Sequence, residues 1–332
     1  MRELKIIKFI ASLGALIVLL SFSHPCYGFV YPEKVATAKG LSHYTMGYIY
    51  DLVGNTKGAV LEYEQAAQFN KNNHLIHLRL GTGYARLNML SEAIDELNLA
   101  SKYNDEDVQA HYLLAVIYSS LKKYDKAAQE YEIVLTKFSE AEPKNIEIYG
   151  YLGQLYYSQR KYDKAAKQFE RIILIEPENA DIMYILGALY VEMAEKDKAI
   201  EILKKSIETN PFHDGSLNTL GYLYAENDMN LEEALGFIKR ALDIDPDNVA
   251  YLDSLGWVYF KKGMNNEALE LLRQAIQILK DPIIYSHIGD VYAKMNNTEE
   301  AIKNWEASLE LFPEQADVID KLNEIKNAKV SR

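Results

Sequence analysis

The chain has 332 residues, with 36 Lys and Arg against 48 Asp and Glu, a net charge of −12 and a pI near 5.2. That balance argues against a nucleic-acid partner, whose phosphate backbone calls for a basic surface. A single cysteine excludes a disulfide framework within the chain, and 25 tyrosines call for an architectural explanation.

Residues 1–28 carry the marks of a secretory signal. Arg2, Lys5 and Lys8 give a positive start, Phe9 to Phe22 is an unbroken apolar or small run of 14 residues, and small residues precede a cleavage point after Gly28. A membrane span needs about 20 residues, so the run is short for one. The expectation is an exported chain, periplasmic or associated with the cell envelope. Cys26 leaves an alternative, a lipid anchor, although Ser23-His24-Pro25 does not resemble a lipobox. Membrane contact is thus expected only through an uncleaved or lipidated N-terminus. Cleavage after Gly28 would leave 33 basic and 47 acidic residues, a charge of −14, and no thiol.

After a leader over 29–39, one pattern recurs from residue 40 to residue 313. Leu80-Gly81, Tyr84, Ala93, Leu97 and Ala100 make two apolar stripes at helical spacing, separated by a short polar turn. The same set returns as Leu152-Gly153, Tyr156, Ala165 and Phe169, as Leu220-Gly221, Tyr224, Ala234 and Ile238, and as Leu255-Gly256, Tyr259, Ala268 and Leu272. Eight units follow: 40–73, 74–107, 108–145, 146–179, 180–213, 214–248, 249–281 and 282–313. Their Gly or Ala positions are 34, 34, 38, 34, 34, 35 and 33 residues apart. Gly or Ala lets two helices approach, and a tyrosine at each equivalent position fills the seam. The four extra residues near Pro143 either lengthen a helix or form a loop. Residues 314–332 carry Ala316, Ile319, Leu322 and Ile325 on one stripe and predict a capping helix.

This 34-residue pattern resembles the tetratricopeptide repeat family over about 274 of the 332 residues. The resemblance implies an all-α fold, an α-solenoid of about eight helix-turn-helix repeats forming a right-handed superhelix. Two features depart from the family pattern. His43, His77, His111, Tyr149, Met183, Leu217, Leu252 and Tyr285 stand where the family has Trp. The closing Pro is absent from the first, second, third and seventh repeats.

Candidate chemistry is sparse. No Gly-rich phosphate loop, HExxH or G-x-S-x-G is present. His43, His77 and His111 are each 34 apart, so they sit one per repeat, too far apart to converge on one metal ion. Glu232–Glu233 and Glu299–Glu300 read as helix-start charges. No enzyme activity and no cofactor are expected.

The resemblance implies a concave groove lined by the first helix of each repeat. Its positions here are Tyr44, Tyr48, Arg79, Tyr112, Tyr151, Gln154, Tyr184, Asn218, Tyr222, Asp253, Trp257 and Phe260, with Arg86, Tyr157, His287 and Asp290 beside them. Exposed aromatics are costly to leave wet, so a ligand or a neighbouring repeat must cover them. The carboxylate clamp of chaperone-binding members is not matched, since its positions hold Tyr44, Tyr48, Arg79, Gln109 and Leu113. The expected function is a non-catalytic scaffold of the cell envelope that binds segments of other proteins in this groove. The alternative is a glycan-handling scaffold in exopolysaccharide export or assembly, with polysaccharide as partner.

Overall fold

A computed structural model describes residues 38–330 of the chain; the predicted signal 1–28 with Cys26, and most of the leader, lie outside the described residues. Among the described residues the chain forms seventeen α-helices and no strand. In pairs these are α1 (Ala38–Leu52) and α2 (Thr56–Phe69), α3 (His74–Arg86) and α4 (Leu90–Tyr103), α5 (Val108–Ser120) and α6 (Tyr124–Ala141), and α7 (Ile146–Ser158) and α8 (Tyr162–Ile175). They continue as α9 (Ala180–Glu192) and α10 (Lys196–Thr209), α11 (Asp214–Glu226) and α12 (Leu231–Ile244), α13 (Val249–Lys261) and α14 (Asn265–Ile278), and α15 (Pro282–Lys294) and α16 (Thr298–Leu311), with α17 (Ala316–Val330) last. None of these helices is long and apolar enough to cross a membrane. The described residues pack as two compact units that divide between residues 171 and 172.

The seam within each pair explains the recurring small residue. A Cβ added at Gly81 would lie 2.6 Å from Leu97 Cγ, and one at Gly221 would lie 2.6 Å from Ile238 Cγ1 and 3.1 Å from the Ala234 carbonyl oxygen. Helix backbones therefore approach as closely as side chains of the second helix allow, and any larger residue forces the pair apart. Ala93, Leu97 and Ala100 in the first unit and Ala234, Ile238 and Ala241 in the second are fully or almost fully buried against that seam.

Each pair turns in the same way. The residue two before the second helix, or three before it at Asp228, is left-handed: Gly54, Asn88, Lys122, Arg160, Ala194, Asp228, Gly263 and Asn296 all have positive φ. The N–H of the next residue then returns to the carbonyl of the seam tyrosine, as Met89 to Tyr84 at 2.9 Å and Met229 to Tyr224 at 2.8 Å. This is the Schellman closure of a helix C-terminus, normally favoured by glycine. Here glycine supplies only two of the eight turns, and Lys122, Arg160 and Ala194 hold φ near 58° without it.

Five of the second helices stop two residues short of a proline, four of them at the proline that closes the repeat pattern. The helices α8, α10, α12 and α16 end before Pro177, Pro211, Pro246 and Pro313, because proline cannot donate to the next helical turn. The four extra residues of the third repeat lengthen a helix: α6 has 18 residues where α4 has 14. Its end, Ala141, again lies two residues before a proline, so Pro143 takes the closing role that the sequence pattern leaves vacant in that repeat.

Candidate functional site

In the first unit the candidate groove residues of the first two repeats come together. Tyr44 and Tyr48 lie one turn apart on α1, and the Arg79 guanidinium from α3 sits 5.5 Å from the Tyr48 ring centroid. The Tyr44 hydroxyl also lies beside the Arg79 guanidinium. The Tyr44 ring tilts against Tyr63 at 5.6 Å. Asp51 accepts from the Tyr63 hydroxyl at 2.9 Å and faces Arg86 Nη1 at 3.3 Å. The result is a half-buried aromatic and cationic surface in which Asp51 pairs with Arg86 while Arg79 rests against tyrosines. Tyr112 on α5 and Tyr151 on α7 are half-buried, and burial pushes both phenol pKa values up. Gln154 and Tyr157 on α7 are exposed.

In the second unit the picture divides. Tyr184 on α9 is half-buried with its ring 5.0 Å from His213, whose Nδ1 accepts the Ser216 N–H and caps α11. Asn218 and Tyr222 lie one turn apart on α11. The Asn218 side-chain oxygen is buried and has no hydrogen-bond donor among the described residues. Burial raises the Tyr222 phenol pKa, and the neighbouring carboxylates Glu226 and Asp253 raise it further.

Asp253 and Trp257 do not stand on an open groove surface as the sequence spacing predicts. Both are buried, at 8% and 7% exposure. The cause is His287 from α15, itself buried. Its ring stacks on Trp257 with centroids 4.1 Å apart, and its Nδ1 lies 2.8 Å from Asp253. The Trp257 indole N–H donates to Glu226 at 2.8 Å, so the indole is held on its face and at its nitrogen. These residues finish the packing between neighbouring repeats. Phe260, 4.9 Å from Trp257, stays half-buried and lines a cavity of about 310 Å³ with Asp290, Trp305 and Lys321.

Two side-chain systems outside the candidate groove are missed by the sequence reading. His43, His77 and His111 each pair through Nδ1 with a carboxylate nineteen residues on, Glu62 at 2.7 Å, Glu96 at 2.6 Å and Glu130 at 2.7 Å. The pairs tie the first helix of a repeat to its second. His77 Nε2 also meets the Lys71 carbonyl at 2.7 Å. Burial alone would lower the His77 pKa, but the bonds to Glu96 and the Lys71 carbonyl outweigh it and raise it. A signal existed, since Glu62, Glu96 and Glu130 share the 34-residue spacing of the histidines. Among the described residues no group of three or more His, Cys, Asp or Glu could hold a metal ion.

The second system is the seam tyrosine. In the first unit two of the seam hydroxyls donate to a carboxylate on the preceding repeat, Tyr84 to Glu64 at 2.6 Å and Tyr156 to Glu132 at 3.1 Å, while Tyr118 meets Asn98. At Tyr224, Tyr259 and Tyr292 of the second unit the equivalent residue is a cation: Lys204 sits by Tyr224, Lys239 lies over the Tyr259 ring at 6.0 Å, and Arg273 donates to the Tyr292 hydroxyl.

Four tetratricopeptide repeat models match the sequence, over residues 78–142, 156–217, 249–281 and 283–315, together more than half of the chain. No curated protein matches it. Among solved structures the chain is similar to a thermophilic TPR protein of Thermus thermophilus, at 24% identity and a TM-score of 0.46 over 52% of this chain and 95% of that one. It is similar to YrrB, described as a TPR protein with an unusual peptide-binding site, at 26% identity and a TM-score of 0.41 over 58% and 96% of the two chains. A chain of the APC/C hetero-tetramer Cut9-Hcn1 matches at 16% identity and a TM-score of 0.53, over 89% of this chain and 57% of that one.

Proposed function

We propose, on the premise that this chain belongs to the tetratricopeptide repeat family, that it is a non-catalytic scaffold of the cell envelope whose first helices bind extended or helical segments of partner proteins. The coarse part of this reading, a protein-binding repeat scaffold, goes with the family. The groove and the envelope location are the proposal's own additions, the latter resting on the signal-like residues 1–28.

The observation that carries the groove is the pair of half-buried tyrosines Tyr184 on α9 and Tyr222 on α11. Asn218 lies one turn from Tyr222 on α11, and all three belong to the row expected to face a ligand. A bound segment would lie against the two rings, which offer apolar faces and polar hydroxyls. In the first unit, Arg79 with Tyr44 and Tyr48 offers a second contact area of the same character. Trp257 and Asp253 act behind this surface, holding its neighbours in place. No observation favours the glycan reading, because the indole face best suited to stack on a sugar is taken by His287.

The test is a crosslinked pull-down with the full chain, followed by affinity measurement on the captured partner. Tyr184→Ala with Tyr222→Ala should weaken binding at least tenfold, and Asn218→Ala should weaken it by a smaller factor. Unchanged affinity in both variants would remove the groove, and recovery of the chain from the cytosolic fraction would remove the envelope location.

A further inference from the structure

The turns that lead from one repeat to the next form a separate edge of the second unit, and their chemistry is unusual. Leu174 is 74% exposed and Phe212 is 77% exposed, the two most exposed large apolar side chains among the described residues. The following turns continue the row with Ile244, with Ile278 and Leu279, and with Leu311 and Phe312, all exposed. Topology places them together, because every turn from a second helix to the next first helix lies at the same end of the helix pairs. In the first unit the corresponding turns are poorer. Phe69 is only marginally exposed, and Tyr103 and Phe138 are half-buried.

The same edge is acidic. Between Leu174 and Phe212 lies an open cleft of about 540 Å³ lined by Glu176, Glu178 and Asp181, together with Asn179, Thr209 and Asn210. No lysine or arginine lines it. Glu176 accepts from the Asn179 amide at 2.8 Å, and Asp181 faces His213 Nε2 at 3.2 Å, while Glu178 has no cationic partner among the described residues. Further along, Asp243, Asp245 and Asp247 flank Ile244, and all three are exposed. The basic groups nearby are few: the Arg240 guanidinium is engaged by the Pro211 carbonyl at 2.5 Å, and Lys280 stands beside Leu279.

An exposed apolar row that natural surfaces rarely leave uncovered, set among carboxylates with few cations to match them, specifies the charge of what covers it. We propose that this turn edge of the second unit, from Leu174 and Phe212 with their acidic cleft toward Ile278 and Leu279, is a docking surface for a basic amphipathic helix of a partner protein. First helices of successive repeats are direct neighbours, so adjacent turns lie roughly 8–10 Å apart. Seven residues of α-helix rise about 10.5 Å. A helix lying along the edge therefore meets one turn every two helical turns, with apolar residues at i and i+7 and lysine or arginine between them reaching the carboxylates. An anionic lipid surface fits poorly, because the carboxylates would face it with like charge. The surface is distinct from the groove, which lies on the first-helix faces.

The experiment uses the full chain and three labelled synthetic peptides, each about 21 residues long so as to span three such steps: one with leucine on one face and lysine on the other, one with glutamate replacing lysine, and one with serine replacing leucine. Fluorescence anisotropy at low and moderate salt should show binding of the Lys/Leu peptide alone, with affinity falling at least tenfold as salt rises. Leu174→Ser with Phe212→Ser, and separately Glu176→Gln with Glu178→Gln and Asp181→Asn, should each weaken it at least fivefold. These side chains are exposed, and unchanged circular dichroism would verify folding. Glu195→Gln with Asp197→Asn and Glu232→Gln removes the same charge at the opposite end of the helix pairs and should leave binding unchanged. Absence of Lys/Leu binding, equal weakening by the opposite-end variant, equal binding of the Glu/Leu peptide, or capture of anionic vesicles in its place would each overturn the proposal.

Discussion

The two units share one backbone plan and differ in almost everything polar that is laid over it. The second unit, residues 172–332, carries 29 Asp and Glu against 16 Lys and Arg, whereas residues 1–171 carry 19 against 20. The chain's negative charge thus resides in the second unit. Position by position, the first unit clasps three helix pairs with His–Glu contacts where the second has Leu217 and Leu252, and its Tyr84 and Tyr156 face carboxylates where Tyr224, Tyr259 and Tyr292 of the second unit face cations. The difference teaches that the repeat is specified by small residues and turns, while the polar clasps are interchangeable additions that set how each unit responds to pH and salt.

The strongest way to break this comparison is at the seam. Gly81→Leu and Gly221→Leu should each destabilise their unit by about 3 kcal/mol or more, since a side chain must enter space filled by Leu97 or Ile238. Native-state hydrogen exchange, read separately for the two units, should show losses of similar size. Markedly unequal losses would mean the seam is not the common element.

A smaller effect is expected at the clasp. His77→Leu gives the first unit the residue type of the second but strands the Glu96 carboxylate and the Lys71 carbonyl, and should cost about 2 kcal/mol. Adding Glu96→Leu should recover most of the loss, because removing both partners of a polar pair is far less costly than removing one. If the double variant is as unstable as the single one, the clasp is not interchangeable. The raised His77 pKa fixes the pH dependence. The folded state holds the proton more tightly than the unfolded chain, so this contribution is complete below the ordinary histidine pKa and is lost as pH rises through the higher folded value. Denaturant titrations from about pH 5.5 to about pH 8.5 should show the first unit weakening with pH, and His77→Leu should flatten that slope.

The smallest change sharpens the comparison from the other side. Lys122→Gly and Ala194→Gly relieve a left-handed residue in one turn of each unit and should each stabilise by about 0.5–1 kcal/mol. Thermal unfolding should register both as gains. A loss at either site would mean that the side chain there does more than tolerate its backbone.

The seam glycines and tyrosines and the stops before Pro177, Pro211, Pro246 and Pro313 were legible because each follows from local sterics repeated at a fixed interval. The left-handed turns at Lys122, Arg160 and Ala194 were not, since nothing in those residue types asks for positive φ; the surrounding closure imposes it. The candidate groove was legible only as a row of positions. Helical spacing puts Trp257 and Asp253 on the same face as Tyr222, but it does not say how far the next repeat reaches over that face. That depends on the pairing of Asp253 with His287, 34 residues on, a complementary acid and histidine one repeat apart that only the packed structure makes evident.

The longer α6 has a consequence for how such arrays vary in length. Four residues rotate a helix by about 400° and advance it by about 6 Å, so an insertion of four returns every side chain to within roughly 40° of its former direction. One or two residues would have swung the apolar stripe of α6 out of the seam, whereas four keep Ala127, Tyr131 and Val134 buried and shift only the exit of the chain. The length of a helix in this fold is therefore quantised in whole turns, whereas the 35- and 33-residue spacings are absorbed between helices: the phase of the faces is conserved, and an added turn is expressed as a step in the edge where one repeat hands over to the next.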